Sequence, residues 1–219
     1  MKTWTVEEVR AFLEFVKFER NFALYRLAVQ SGMRRGELLW LKWSDVKFQT
    51  NSLSIQQQLT GLEEDAEEFE GFDELSPTKS NAGRRSISLD PTTIRVLQDY
   101  QKTQEIEQLN WGKGYTNHNL VFSRPNGTPH DPDSITGEFE RLVAKSGQRQ
   151  IRLHDLRHTH ATLLLEAHVD ITVVSKRLGH ASVKTTADRY AHVTAPLQGD
   201  AAQRIGDLID GTMVRSREQ

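Results

Sequence analysis

The side chains able to do chemistry fall in four short stretches. The first is His154-Asp155-Leu156-Arg157-His158-Thr159-His160. On a helix, positions i and i+3 share a face, so His154 and Arg157 can reach one ligand together. A guanidinium offers a planar fork of donors suited to phosphate oxygens, and an imidazole beside it can donate a hydrogen bond or shuttle a proton. A metal site from His154, His158 and His160 is the rival reading. His154 and His158 are spaced to share a metal, but His160 projects about 160° away from His158. No carboxylate at helical metal spacing completes the set. A polar helix start with satisfied histidines is a third reading, and the segment alone does not choose against it.

The second stretch, Ser31-Gly32-Met33-Arg34-Arg35-Gly36-Glu37-Leu38, sets Arg34 three residues before Glu37. On a surface such a pair is worth little. Here Ala28, Val29, Leu38, Leu39 and Leu41 surround it, which favours a less exposed pair or a brace behind a site. The third stretch is Arg177-Leu178-Gly179-His180, followed ten residues later by Tyr190 in Asp188-Arg189-Tyr190-Ala191-His192. A phenol of pKa ~10 is a poor nucleophile unless positive charge stabilises both the phenolate and the group attacked. A lone tyrosine half-buried on a helix is the plainer alternative. The fourth stretch is Thr78-Lys79-Ser80-Asn81-Ala82-Gly83-Arg84-Arg85. Asn-Ala-Gly suggests a hairpin turn, with Lys79 just before it; a turn lysine serving solubility is the alternative.

Composition narrows the classes. The chain has 219 residues, no cysteine, and 28 Lys+Arg against 30 Asp+Glu, a net charge of −2. This length can bury a substantial core. Without cysteine there is no disulfide framework, no thiolate zinc site and no cysteine nucleophile. No apolar run approaches the ~20 residues of a membrane helix. Glu7 and Glu8 follow Val6 at once, unlike a signal peptide. The near-neutral total argues against nucleic-acid binding through bulk positive charge.

The elements that must position these residues are mostly helical. Thr5 and Glu8 fit a capping box, opening a helix with Val9, Phe12, Leu13 and Val16 inward. Residues 22–29 form a second apolar helix, broken at Ser31-Gly32, and residues 34–41 resume helical spacing. Residues 46–48 and 53–57 read as strands, and residues 84–89 alternate Ile87 and Leu89 with polar side chains. Pro91 starts a helix through Ile94, Val96 and Leu97. Residues 110–133 form a long connection around apolar residues 120–122. Residues 135–143 are helical, ending near Gly147. Three further helices span 154–168, 170–178 and 182–193, with Asp170 and Ser182 as N-caps and Gly179 as a stop. Pro196 breaks the chain, and residues 201–209 are weakly amphipathic through Ile205, Leu208 and Ile209. The expected class is mainly α with a small antiparallel β-sheet.

Taken in order, Arg34, Lys79, His154 with Arg157, His180 and Tyr190 resemble the active-site series of the tyrosine recombinase (phage-type integrase) family. The matching stretches are Ser-Gly-Met-Arg-Arg-Gly-Glu-Leu, Thr-Lys-Ser, Leu-His-Asp-Leu-Arg-His-Thr-His-Ala-Thr, Arg-Leu-Gly-His and Thr-Thr-Ala-Asp-Arg-Tyr-Ala-His-Val. The resemblance runs from about Trp4 to Pro196 and covers the family's catalytic domain. It implies a site-specific recombinase whose tyrosine attacks a DNA phosphodiester, forms a 3′-phosphotyrosyl link and frees a 5′-hydroxyl. Tyr190 would be the nucleophile, with Arg34 and Arg157 clamping the phosphate. Lys79 would protonate the leaving oxygen, His154 would assist proton transfer near the tyrosine, and His180 would hydrogen-bond the phosphate. Glu37 resembles the family's acidic brace. The chemistry needs no metal and no cofactor. The spacing from His180 to Tyr190 is ten residues, where some members have nine, which places an extra residue in the loop before the tyrosine helix.

The resemblance also implies double-stranded DNA as partner, a homo-tetramer on two DNA sites, a monomer when isolated, and a cytoplasmic bacterial or phage setting. Residues 1–196 would be the catalytic domain and residues 197–219 a tail able to pack on a neighbouring subunit. The length leaves no room for the family's usual N-terminal clamping domain, as in an excised catalytic domain or a short variant. Two other readings are type IB topoisomerase-like relaxation of one duplex and a non-catalytic DNA-binding regulator. Residues 62–75 carry eight acidic residues and no basic one, and read as a solvated loop insertion. Without them the charge is 28 − 22 = +6, so the acidity is local. The expectation is that this loop points away from DNA or competes with it.

Overall fold

The computed structural model describes residues 2–55, 57–59, 75–77, 84–194 and 197–210. Nine helices are present among them: α1 Val6–Phe15, α2 Phe22–Ser31, α3 Arg35–Leu39, α4 Pro91–Trp111, α5 Pro132–Ser146, α6 Asp155–Glu166, α7 Ile171–Leu178, α8 Val183–Thr194 and α9 Leu197–Ile209. Five strands accompany them: β1 Val46–Lys47, β2 Ser52–Ile55, β3 Gln57–Leu59, β4 Leu75–Pro77 and β5 Arg85–Ser88. Strands β1, β2 and β5 form an antiparallel sheet in that order, with Leu53 paired to both Val46 and Ile87. Strands β3 and β4 pair antiparallel, so the acidic run joins two paired strands. The hairpin turn at residues 81–83 and the acidic run lie outside the described residues. The expected mainly helical class with a small antiparallel sheet is what the chain adopts.

Local chemistry sets the element ends. The Thr5 hydroxyl accepts from the Glu8 N–H while Glu8 accepts from the Thr5 N–H, the expected capping box. The Asp170 carboxylate accepts from the Thr172 N–H at the start of α7. Gly32, Gly147 and Gly179 end α2, α5 and α7 in left-handed conformations. Helix α6 stops at Glu166, earlier than the sequence suggested, because His168 turns the chain with φ +59°. Residues 48–50 form a 3₁₀ turn instead of prolonging β1.

Two apolar clusters hold the chain together. In the larger one, Trp4, Phe12, Tyr25 and Phe139 pack ring against ring at 5.0–6.0 Å. The smaller one is Ala161, Leu165, Val174, Leu178 and Tyr190, where α6, α7 and α8 meet. Helix α6 runs between them and is buried nearly all round, with Asp155 through Thr162 buried without a break. A helix hidden on every side shows no amphipathic stripe, so its role is visible only in three dimensions.

Candidate active site

The C-terminal end of α2 organises the site. A helix end leaves backbone carbonyls without intrahelical partners and carries partial negative charge. Three side chains take those carbonyls. Arg157 donates to the Gly32 carbonyl at 2.6 Å, Arg177 to the Gln30 carbonyl at 3.0 Å, and the His160 Nδ1–H to the Val29 carbonyl at 2.8 Å. Arg157 also donates to the Leu178 carbonyl at the end of α7, at 2.8 Å. Two helix ends therefore fix one guanidinium that is 2% exposed.

The chain can turn here because of two glycines. At Gly32, φ is +63° and an added Cβ would sit 2.5 Å from His160 Cδ2. At Gly179, φ is +70° and an added Cβ would sit 2.8 Å from Arg85 Nη1.

Arg34 and Glu37 sit where the chain leaves this turn. Arg34 caps α3, and its backbone N–H donates to Glu37 Oε2 at 2.9 Å while its guanidinium reaches Oε1 at 3.2 Å. Glu37 is fully buried and is held more firmly by Arg85, whose two terminal nitrogens donate to its two oxygens at 2.8 Å each. Arg85 Nε donates to the Arg177 carbonyl at 2.7 Å, tying β5 to α7. Burial alone would raise the Glu37 carboxyl, but the Arg85 hydrogen bonds and the charges of Arg85, Arg34 and Arg157 bring it down to about 2. One buried carboxylate thus stands among three arginines. The excess of positive charge suits an anion.

Tyr190 packs where α6, α7 and α8 meet. Its side chain is fully buried in the smaller cluster, and its hydroxyl is 2.9 Å from His158 Nδ1. The His154 ring meets the His158 ring edge-on at 5.1 Å. His158 is held well below the usual range, at about 4, first by burial and then by His154, Arg189 and Arg157. Helix α8 is kinked at Tyr190 itself, with φ −114° and ψ 17°. Only Ala181 and Ser182 separate His180 from α8, and the irregularity in this region falls on the tyrosine. His180 Nδ1 is 2.8 Å from the Thr186 hydroxyl.

The structure brings Arg34, Glu37 and Arg157 into one cluster, sets His154 beside His158, and sets His158 on Tyr190. Lys79 lies outside the described residues. The other tyrosines sit in different surroundings. Tyr25 donates its hydroxyl to Glu138 and is pushed up by burial, and burial pushes Tyr100 up to about 12. Among the described residues no group of three or more His, Asp and Glu is arranged to hold a metal ion.

On sequence grounds Arg85 has no role, and His158 has a place only in the rival metal set. Arg85 is on the same strand face as buried Ile87, and an arginine on an inward face must find a carboxylate. His158 shares one face of α6 with Ala161 and Leu165, at i, i+3 and i+7.

The family model described as the phage integrase family matches residues 2–196. A tyrosine recombinase XerC-like protein of Caldanaerobacter subterraneus subsp. tengcongensis is 30% identical over 215 residues, covering 95% of this chain and 54% of that protein. The ICEBs1 integrase of Bacillus subtilis is 28% identical over 211 residues, covering 95% of this chain and 55% of that protein. The chain therefore spans about half the length of the curated relatives it matches. Among solved structures, the Tn1549 transposon integrase in complex with transposon right end DNA superposes with TM-score 0.75 at 21% identity, over 94% of this chain and 66% of that one. The catalytic domain of bacteriophage HP1 integrase superposes with TM-score 0.59 at 16% identity, over 95% of this chain and 96% of that one. Both likenesses are of fold.

Proposed function

The chain belongs to the phage integrase family, the tyrosine recombinases, and on that premise we propose that it breaks and rejoins double-stranded DNA through a 3′-phosphotyrosyl intermediate. Tyr190 is the nucleophile. Arg34 and Arg157 hold the non-bridging oxygens as negative charge concentrates on them in the transition state. Lys79 protonates the leaving 5′-oxygen. His180 hydrogen-bonds the phosphate, His154 assists proton movement beside the tyrosine, and Glu37 aligns Arg34. The arginines supply the charge stabilisation that a metal gives elsewhere, so the reaction proceeds without a metal or cofactor. The single observation that carries this reading is the adjacency of Arg157 and His158 on α6. One of them belongs to the buried arginine cluster and the next touches the Tyr190 hydroxyl. Tyr190 is fully buried, so a phosphate reaches its hydroxyl only after the chain covering it opens.

Residues 1–196 act as the catalytic domain, with residues 62–75 as an acidic insertion. Recombination uses a homo-tetramer on two DNA sites, formed on DNA from monomers. Helix α9 exposes Ile205, Leu208 and Ile209, and this face covers a neighbouring copy. The proposed setting is a bacterial cytoplasm and the movement of a mobile element; integrases of a bacterium and of a phage among the relatives support the second part. Among the described residues no helix is long and apolar enough to cross a membrane.

The test is to mix the chain with a pool of nicked duplexes randomised around the nick. Covalent adducts are trapped on a denaturing gel, and the trapped DNA is sequenced. Adduct is expected, and two labelled duplexes carrying the recovered sequence should exchange strands. Relaxation of a single duplex without exchange would favour the topoisomerase-like reading, and binding without adduct would favour a regulator.

A further inference from the structure

We propose that His158 is the group that takes the phenolic proton of Tyr190 as the tyrosine oxygen attacks phosphorus. This rests on the reading of Tyr190 as nucleophile and extends it by naming the base. In the closed arrangement His158 Nδ1 is 2.9 Å from the Tyr190 hydroxyl, within the reach required of a general base, and the two must stay paired as the covering chain opens. The pair is buried at rest, with Tyr190 fully enclosed and His158 7% exposed.

The surroundings favour a neutral imidazole at rest. Burial comes first, then His154 at the N-cap of α6, Arg189 on α8 and Arg157 on α6, while Asp155 opposes them. A neutral imidazole has one bare nitrogen, and in the tautomer protonated at Nε2 that nitrogen is Nδ1. The charge gained on protonation is not sealed in an apolar core. His158 also lines an open cleft of about 310 Å³ with Lys2, Glu140, Gln150, Arg152 and Asp155, and the Asp155 charge favours the imidazolium.

The step balances. The Tyr190 O–H bond breaks, the proton goes to His158 Nδ1, and the phenolic oxygen bonds to phosphorus. The bond from phosphorus to the 5′-oxygen breaks, and that oxygen keeps the electron pair and receives a proton from Lys79. In rejoining, the 5′-hydroxyl returns its proton to Lys79 and attacks phosphorus, the bond from phosphorus to the tyrosine oxygen breaks, and that oxygen recovers its proton from His158. One residue serves as base and then as acid.

Two measurements test this. ¹⁵N NMR of histidine-labelled native chain, without DNA, reads the His158 tautomer. A bare Nδ1 with a proton on Nε2 is expected; an Nδ1–H donating to the phenol overturns the proposal. The second measurement uses single-turnover adduct formation on the DNA recovered from the randomised pool. His158→Asn is compared with the native chain, with Tyr190 as tyrosine and as a fluorinated tyrosine of lower phenol pKa. The variant is expected to lose roughly a hundredfold with tyrosine and much less with the fluorinated phenol, which ionises with less help. An equal loss with both phenols marks a purely structural role and overturns the proposal, as does no loss. Absence of adduct in the native chain overturns the underlying reading instead, and the proposal falls with it. If His158→Asn fails to fold, the tautomer in the native chain still decides.

Discussion

Arg85 holds Glu37 with both of its terminal nitrogens at 2.8 Å, across 48 residues of sequence. Through that contact the strand following the Lys79 segment is fixed to the helix that follows Arg34. Removing the cation would leave a buried carboxylate with weaker partners. Arg85→Met is expected to cost about 3 kcal/mol, because breaking a buried pair on one side strands a charge. Urea unfolding of the variant beside the native chain measures it. A cost within about 0.5 kcal/mol, the range of ordinary surface changes, would contradict the account.

The pH dependence of stability has two limbs. His130 and His158 are held down at about 4, and His160 at about 3, against a reference value of 6.5. They stay neutral in the fold while the unfolded chain takes up protons, so stability is full above pH 6.5 and falls as pH drops below it. The slope is about 1.4 kcal/mol per pH unit for each histidine. Glu37 acts in a lower window. Its carboxyl is depressed from 4.5 to about 2, so its contribution is present above pH 4.5 and is lost as pH falls toward 2. Urea midpoints across pH should therefore decline from near neutrality downward. His160→Gln should flatten the upper limb; an unchanged slope would contradict the buried neutral state.

Gly32→Ala should disrupt the site from behind. The backbone conformation disfavours a side chain, and the added Cβ would meet the His160 ring at 2.5 Å. The Gly32 carbonyl is also an anchor of Arg157. The expected cost is about 2 kcal/mol, combining left-handed strain with the clash. Adduct formation should fall by more than global unfolding explains. A variant with native stability and native rate would show that the turn does not set Arg157.

Deleting the acidic run should leave DNA affinity unchanged or raise it at low salt. The eight negative charges of residues 62–75 lie in one connection between β3 and β4, and the rest of the chain carries a charge of +6. Electrostatic binding to DNA is steeply salt-dependent, so binding measured across a salt series exposes any competition. A large loss of affinity on deletion would count against both versions of that expectation.

The chain's motifs made much of this readable in advance, and particular residues show where reading stopped. Caps such as Thr5 with Glu8, Asp170 and Gly179 act within a few residues, so the ends they set were legible. The mainly helical class followed from apolar spacing in α1, α2 and α7. Arg34 and Glu37 were readable as a pair because the i, i+3 spacing puts them on one helical turn. Arg85 was not, because its partner lies 48 residues away and only the fold brings them together. His158 was read as one member of a metal alternative. Its contact with Tyr190 spans 32 residues and depends on how α6 and α8 cross. The end of α6 was missed because His168 adopts a positive φ that its residue type seldom announces.

The central claim is that Tyr190 becomes covalently joined to DNA. The most direct measurement is peptide mapping by mass spectrometry of the adduct trapped on a nicked duplex, with Tyr190→Phe run in parallel. The account predicts a DNA 3′-phosphate carried on the peptide containing Tyr190, and no adduct from the Phe variant. Adduct on another residue, or adduct persisting in Tyr190→Phe, would contradict it.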